Sequence, residues 1–267
     1  MADRIPNVVT IAGVDPSGGA GVLADVKTMS ALRAYACAVV TALTAQNTRA
    51  VTGVLGIPPA FVREQIDTLF GDVRVDAVKI GMVGQAPVIR AVADGLAHWK
   101  PRHVVLDPVM IAKSGDRLVD DEALAMMKTE LVGLAFLVTP NIPEAEALTN
   151  IEIRTDQDRE EAARRIVEMG ASAVVVKGGH FPSDDIRDLL LHDGEFVEFR
   201  QPRVSGVHTH GTGCTFAAAI TSHLAKGHDL RIAVEGAQRY VAEAIRHAPH
   251  IGRGHGPLGH FFKHARP

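Results

Sequence analysis

The chain has 267 residues, 46% of them hydrophobic and 22% charged, with a net charge of −3. That is ample apolar material for one large α/β domain, and residues 1–267 read as one unit with no linker, repeat or low-complexity segment. The mild negative charge and the lack of a basic block speak against nucleic acid binding, and no run of about 18 apolar residues suggests a membrane span. Cys37 and Cys214 lie far apart outside any pair motif. They predict a reducing compartment, and residues 1–6 carry no apolar leader, so the expected location is the cytoplasm.

Short β-branched runs recur along the chain, each closed by a polar or turn-forming residue. The first, at residues 8–12, leads into Gly13-Val14-Asp15-Pro16-Ser17-Gly18-Gly19-Ala20-Gly21, a glycine-rich turn that lets backbone approach a ligand. Asp25 falls about one turn into the next helix, where an acid is ordinarily solvated. The second run, 38–43, precedes Ala45-Gln46-Asn47-Thr48. The Gln46 amide sets a donor beside an acceptor, which matches an amino group next to a ring nitrogen; the competing reading is a loop glutamine making turn contacts. Residues 59–70 place Phe61, Gln65, Ile66 and Leu69 at helical spacing.

The third run, 77–80, ends at Gly81-Met82, where a thioether can lie against a flat ring or simply fill core. The fourth, 103–106, ends at Asp107-Pro108-Val109-Met110, followed by Lys113-Ser114. An acid at a strand's C-terminal end is a candidate for Mg²⁺ or phosphate chemistry. The fifth, 135–138, is followed by Thr139-Pro140-Asn141-Ile142-Pro143-Glu144, with Glu144 either at a site or a first-turn acid complementing the helix dipole. A helix over 156–169 is stopped by Gly170. The sixth run, 173–176, ends at Lys177-Gly178-Gly179-His180, where a lysine can reach a phosphate as a point charge. Residues 188–199 read as a hairpin around Asp193-Gly194.

The segment His208-Thr209-His210-Gly211-Thr212-Gly213-Cys214-Thr215 feeds a small-residue run, 216–220, that reads as a buried helix. A helix start offers unpaired N–H groups and a positive dipole end, hence an anion hole. Cys214 falls near the first turn, where a thiol pKa is expected to drop. Strand–helix alternation predicts a mostly parallel central sheet with helices on both faces and a few antiparallel strands at one edge, with ligands at the strands' C-terminal ends. Acids, lysine and an anion hole at successive strand ends point to phosphoryl transfer. Glycines at 18–21 and 211–213 are expected to leave room for an acceptor of variable length.

Together these motifs resemble the hydroxymethylpyrimidine/phosphomethylpyrimidine kinases of thiamin biosynthesis, in the ribokinase-like superfamily, from about Val8 to Gly256-Pro257-Leu258-Gly259-His260-Phe261. The resemblance implies ATP-dependent phosphorylation of 4-amino-5-hydroxymethyl-2-methylpyrimidine and then of its monophosphate, with Mg²⁺ and a homodimer. It maps a substrate pocket onto Gly13, Ala20, Asp25, Gln46, Met82, Val109 and Cys214. It maps the phosphate and Mg²⁺ region onto Asp107, Asn141, Glu144, Lys177 and Gly211, Thr212, Gly213 and Cys214, with Asp107 and Glu144 toward the metal. Many sugar kinases of the superfamily carry aspartate where Cys214 stands, so cysteine argues against a sugar. Pyridoxal or pyridoxine kinase, or an enzyme of both specificities, is the rival reading. A non-catalytic regulator is disfavoured by the intact phosphate residues, and an oxidoreductase by the spacing Gly18-Gly19-Ala20-Gly21, which is not GxGxxG. The histidines of the tail (His247, His250, His255, His260 and His264) show no compelling ligand spacing and read as structural.

Overall fold

The computed structural model describes residues 4–112, 115–180, 184–204, 206 and 208–264. Lys113 and Ser114, and the side chains of His180 and His264, lie outside the described part. The six apolar runs form β1 (Asn7–Val14), β2 (Tyr35–Gln46), β4 (Ala77–Ile80), β5 (Val104–Leu106), β6 (Leu137–Val138) and β7 (Ala173–Val176), all paired in parallel. With β3 (Val51–Gly56), β8 (Asp185–His192) and β9 (Glu195–Pro202) they make one sheet in the order β3-β2-β1-β4-β5-β6-β7-β8-β9.

Both faces of the central strands are covered. Val9, Ile11, Val104 and Leu106 pack toward α2 (Pro59–Asp72), α3 (Ala86–Trp99), α4 (Asp121–Met126), α5 (Ile142–Thr149) and α6 (Asp156–Glu168). Val105 packs toward α7 (Thr212–Ala225) and α8 (Leu230–Arg246), and Val8 toward α1 (Gly21–Ala31). A strand buried on both sides gains hydrophobic free energy from every residue, so it reads as an unbroken apolar run rather than an alternation.

The β8–β9 hairpin turns at Asp193 and Gly194, both with positive φ (51° and 78°), which suits a primed two-residue turn. It adds antiparallel strands beyond β7. The other edge also ends in an antiparallel strand, β3, which the sequence does not announce. Gly53 and Gly56 interrupt it, and Val54 and Leu55 are exposed, so neither periodicity nor burial marks it. In α2 the core face is carried by Val62 and Ile66, whereas Phe61 is 52% exposed despite its helical spacing.

Asp25, expected at a solvated helix position, is instead fully buried. Its Oδ2 accepts from Lys79 Nζ at 2.8 Å and from Thr10 Oγ1 at 2.6 Å, tying α1 to β4 and β1. Burial works against the Lys79 charge, but the attraction of Asp25 overrides it and holds the ammonium above its ordinary pKa. Removing one partner strands the other charge in a dry core. Lys79→Met should therefore cost about 3–5 kcal/mol by denaturant unfolding, and Asp25→Leu/Lys79→Met should recover most of that. Additive losses in the double variant would show that the two residues stabilise the fold independently.

Candidate active site

The C-terminal ends of the parallel strands open into a cleft of about 740 Å³. This is where a doubly wound sheet collects ligands, because the loops and helix N-termini of successive units converge there. Its lining includes Gly13, Ala20, Gln46, Met82, Val109 and Cys214 together with Asn141, Glu144, Lys177, Thr212 and Gly213. Asp107 and Gly211 also line it.

Gly211 caps α7 in the left-handed region (φ 78°) and admits no side chain, since a Cβ there would meet the Gly19 carbonyl oxygen at 1.8 Å. Thr212 Oγ1 donates to the Thr209 carbonyl at 2.7 Å and fixes the turn. The buried run Thr215–Ser222 drives α7 into the core, so its first-turn N–H groups are directed out of the helix end without intrahelical acceptors. A Cβ on Gly213 would stand 3.3 Å from Lys177 Nζ and 3.6 Å from Asp107 Oδ2, so the helix start faces both charged groups.

Lys177 Nζ donates to Asp107 Oδ1 at 2.9 Å and lies 3.8 Å from Glu144 Oε2. Burial opposes the Lys177 charge, and Asp107 and Glu144 hold its pKa above the ordinary value. Asp107 Oδ2 is buried with no hydrogen-bond partner among the described residues, a carboxylate oxygen suited to a hard cation. Asn141 and Glu144 form a capping box on α5: Glu144 N donates to Asn141 Oδ1 at 2.9 Å, and Asn141 N to Glu144 Oε2 at 2.7 Å. Glu144 thus caps the helix and lines the cleft at once. Burial pushes its carboxyl up to about 7, with Lys177 pulling the other way.

A Cβ on Gly13 would strike Met82 Cε at 2.4 Å, so glycine there lets the thioether seat against the strand end. Thr44 Oγ1 stands 3.0 Å from both the Gln46 amide oxygen and the Val14 carbonyl oxygen, and so braces the Gln46 side chain. The strand-end rule does not flag Thr44, because its role depends on the neighbouring strand.

Three expectations change. Asp25 does not line the cleft; it lies below it, engaged with Lys79. The space beside Gly19 is filled by the His210 ring, whose Cδ2 a Cβ would meet at 2.2 Å, and that beside Gly211 by Gly19 itself, so these glycines allow loops to touch rather than reserving room for an acceptor. The Cys214 thiol is not lowered. Burial pushes it up to about 11, against the help of Lys79 and a backbone hydrogen bond from Gly21, with Asp25 and Asp107 adding to the rise. Sequence reasoning also passes over Asp15 and His210. Asp15 follows β1 as Asp107 follows β5, so the same strand-end signal was available.

Fold and cleft define a ribokinase-like small-molecule kinase. The chain belongs to the phosphomethylpyrimidine kinase family, whose sequence profile matches residues 15–259. It is 45% identical over 258 residues to the hydroxymethylpyrimidine/phosphomethylpyrimidine kinase of Bacillus subtilis (strain 168), covering 96% of this chain and 95% of that one. It is 50% identical over 254 residues to a thiamine biosynthesis bifunctional protein of Geobacter sulfurreducens, covering 95% of this chain but 52% of that protein, so the chain spans about half of that relative. Among solved structures, the pyridoxal kinase of Staphylococcus aureus in complex with AMP-PCP superposes with a TM-score of 0.90 at 31% identity, over 98% of this chain and 95% of that one.

The raised thiol has a direct consequence. In a Cys37→Ser background, iodoacetamide labelling of Cys214 should climb about tenfold per pH unit from 7 to 10 with no plateau, because the thiolate fraction is still growing. A plateau below pH 9 would mean that the helix dipole outweighs burial.

Proposed function

We propose that the protein moves the γ-phosphoryl group of ATP to the hydroxymethyl oxygen of 4-amino-5-hydroxymethyl-2-methylpyrimidine, and then a second one to the resulting monophosphate, for thiamin biosynthesis. The observation that carries this reading is that Gln46 and Cys214 border the same cleft as the α7 anion hole, Asp107 and Lys177. An amide held by Thr44 pairs with the amino group and the adjacent ring nitrogen of an aminopyrimidine. Pyridoxal has no exocyclic amine beside its ring nitrogen, and the chain's identity to the S. aureus pyridoxal kinase is below that to its pyrimidine-kinase relatives.

In this reading the ring lies between Met82 and Val109, and the hydroxymethyl oxygen points at Cys214. The hydroxyl oxygen bonds to the γ-phosphorus as the bond from phosphorus to the β,γ-bridging oxygen breaks, ADP leaves, and the hydroxyl proton passes to an oxygen of the transferred phosphoryl group once the new bond is formed. The first-turn N–H groups of α7 and the Lys177 ammonium take up the charge on the transferring oxygens. Asp107, with Glu144, would hold Mg²⁺ directly or through water, and that ion would neutralise phosphate charge. The thiol, neutral at physiological pH, orients the acceptor hydroxyl rather than deprotonating it beforehand. The whole chain acts as one kinase unit in the cytoplasm. Exposed Leu43, Val54 and Leu55 near the β3 edge supply apolar surface for a homodimer.

With excess ATP, phosphorus NMR should show the pyrimidine monophosphate and then the diphosphate; product that stops at the monophosphate rejects the second transfer. Gln46→Ala should weaken pyrimidine binding by about 1–3 kcal/mol and leave ATP affinity in place. Calorimetric affinities that fall equally for both ligands would make Gln46 a structural residue.

A further inference from the structure

His210 and Asp15 belong to loops 195 residues apart in sequence, yet His210 Nε2 lies 2.7 Å from Asp15 Oδ2, with both side chains nearly buried. Asp15 is a hub that only accepts. Its Oδ1 receives Ser17 N at 2.8 Å, and its Oδ2 receives Ser17 Oγ at 2.9 Å and Ala20 N at 3.0 Å. Burial works against the Asp15 charge, but the hydrogen bonds from His210 and Ser17 prevail and hold the carboxyl below its usual range. A carboxylate cannot donate, so Nε2 carries the proton in this contact.

The joint is closed from other sides as well. The imidazole fills the space a Cβ on Gly19 would need, and the next residue, Gly211, packs its backbone against the Gly19 carbonyl. His210 N donates to the Gly256 carbonyl at 3.2 Å, and His210 bridges to Pro257, so the C-terminal tail backs the same point. One side of this joint continues into Gly211–Cys214, the anion hole. The other continues into Ala20 and Gly21, where the Gly21 N–H reaches the Cys214 sulfur. Donor phosphate and acceptor therefore meet across two loops whose separation is set where His210 touches Asp15 and Gly19.

We propose that His210 is a positioning residue: held on Asp15, its imidazole clamps the anion-hole loop to the first glycine loop and fixes the distance between transferring group and acceptor. This rests on the kinase reading of the cleft. Asp15 and His210 also line the cleft, but the Asp15 oxygens are taken up by His210 and the glycine loop, so the clamp governs alignment in the transition state more than affinity for either ligand. A misplacement of about 1 Å costs on the order of 100-fold in an aligned transfer.

Three variants test it. His210→Phe keeps a ring against Gly19 but loses the donor, and should lower kcat roughly 10- to 100-fold with both KM values within about threefold. His210→Gln retains an N–H at similar reach and should restore most of kcat. Asp15→Asn removes the charge and half of the acceptor set, and should show the same kcat-over-KM split if His210→Phe does not fold. A second readout needs no turnover: in Cys37→Ser protein, releasing the clamp withdraws from Cys214 the Gly21 N–H that favours its thiolate, so labelling at fixed pH should slow severalfold in His210→Phe and Asp15→Asn but not in His210→Gln. A wild type that phosphorylates neither pyrimidine nor pyridoxal defeats the kinase reading, while the labelling comparison still judges the clamp. Unchanged kcat and labelling, matched rises in KM, or a Gln variant no better than Phe would overturn the proposal.

Discussion

Two lysine–carboxylate pairs, Lys177 with Asp107 in the cleft and Lys79 with Asp25 in the core below it, are the constraint around which the site is built. A triphosphate brings several negative charges, and uncompensated carboxylates beneath it would repel it strongly in a medium of low dielectric. Lys177, set between Asp107 and Glu144, and Lys79, set against Asp25, offset much of that charge while one Asp107 oxygen stays open. Parallel pairing makes this geometry available. Strands about 4.8 Å apart put β5 and β7 roughly 10 Å from each other across β6, a gap that a lysine stem and an aspartate side chain close between them. Had β7 run opposite to β5, Asp107 and Lys177 would not end at the same edge.

The same constraint explains what the sequence disclosed and what it withheld. The parallel strands were legible because they form short, largely apolar runs, buried throughout in β4 to β7 and nearly so in β1, and the hairpin because Asp193-Gly194 tolerates positive φ. Residues directly after those strands were legible as a site because topology alone sends them to one edge. Gln46, Asp107 and Lys177 needed no knowledge of their partners. Asp25 did: its burial depends on Lys79, 54 residues away, and nothing local distinguishes it from a solvated helix acid. The Asp15–His210 contact was hidden for the same reason, across 195 residues, although Asp15 itself carries the strand-end signal. The β3 edge was lost for the opposite one, since an exposed strand broken by glycine carries no burial pattern to detect. Phe61 shows that helical spacing names a face without saying whether that face is covered.

The Cys214 thiol is where a local rule and its surroundings disagree most. A helix start alone lowers a thiol pKa, yet here burial and the nearby Asp25 and Asp107 charges dominate and the group rises to about 11. At pH 7 that leaves roughly one thiolate in 10⁴, too few for a resting base. A loose phosphoryl-transfer transition state asks for little deprotonation before the new bond is well formed, so a neutral residue that aligns the hydroxyl suffices. The two acceptors sharpen the point. The first is an alcohol, and the second, in the proposed sequence, is a phosphate monoester that already carries negative charge at neutral pH and needs no base at all. A carboxylate at position 214 would assist the alcohol but repel the phosphate, and would add a further anion beside Asp25 and Asp107. A thiol held in its neutral form accepts either, which is why one cleft can serve both transfers.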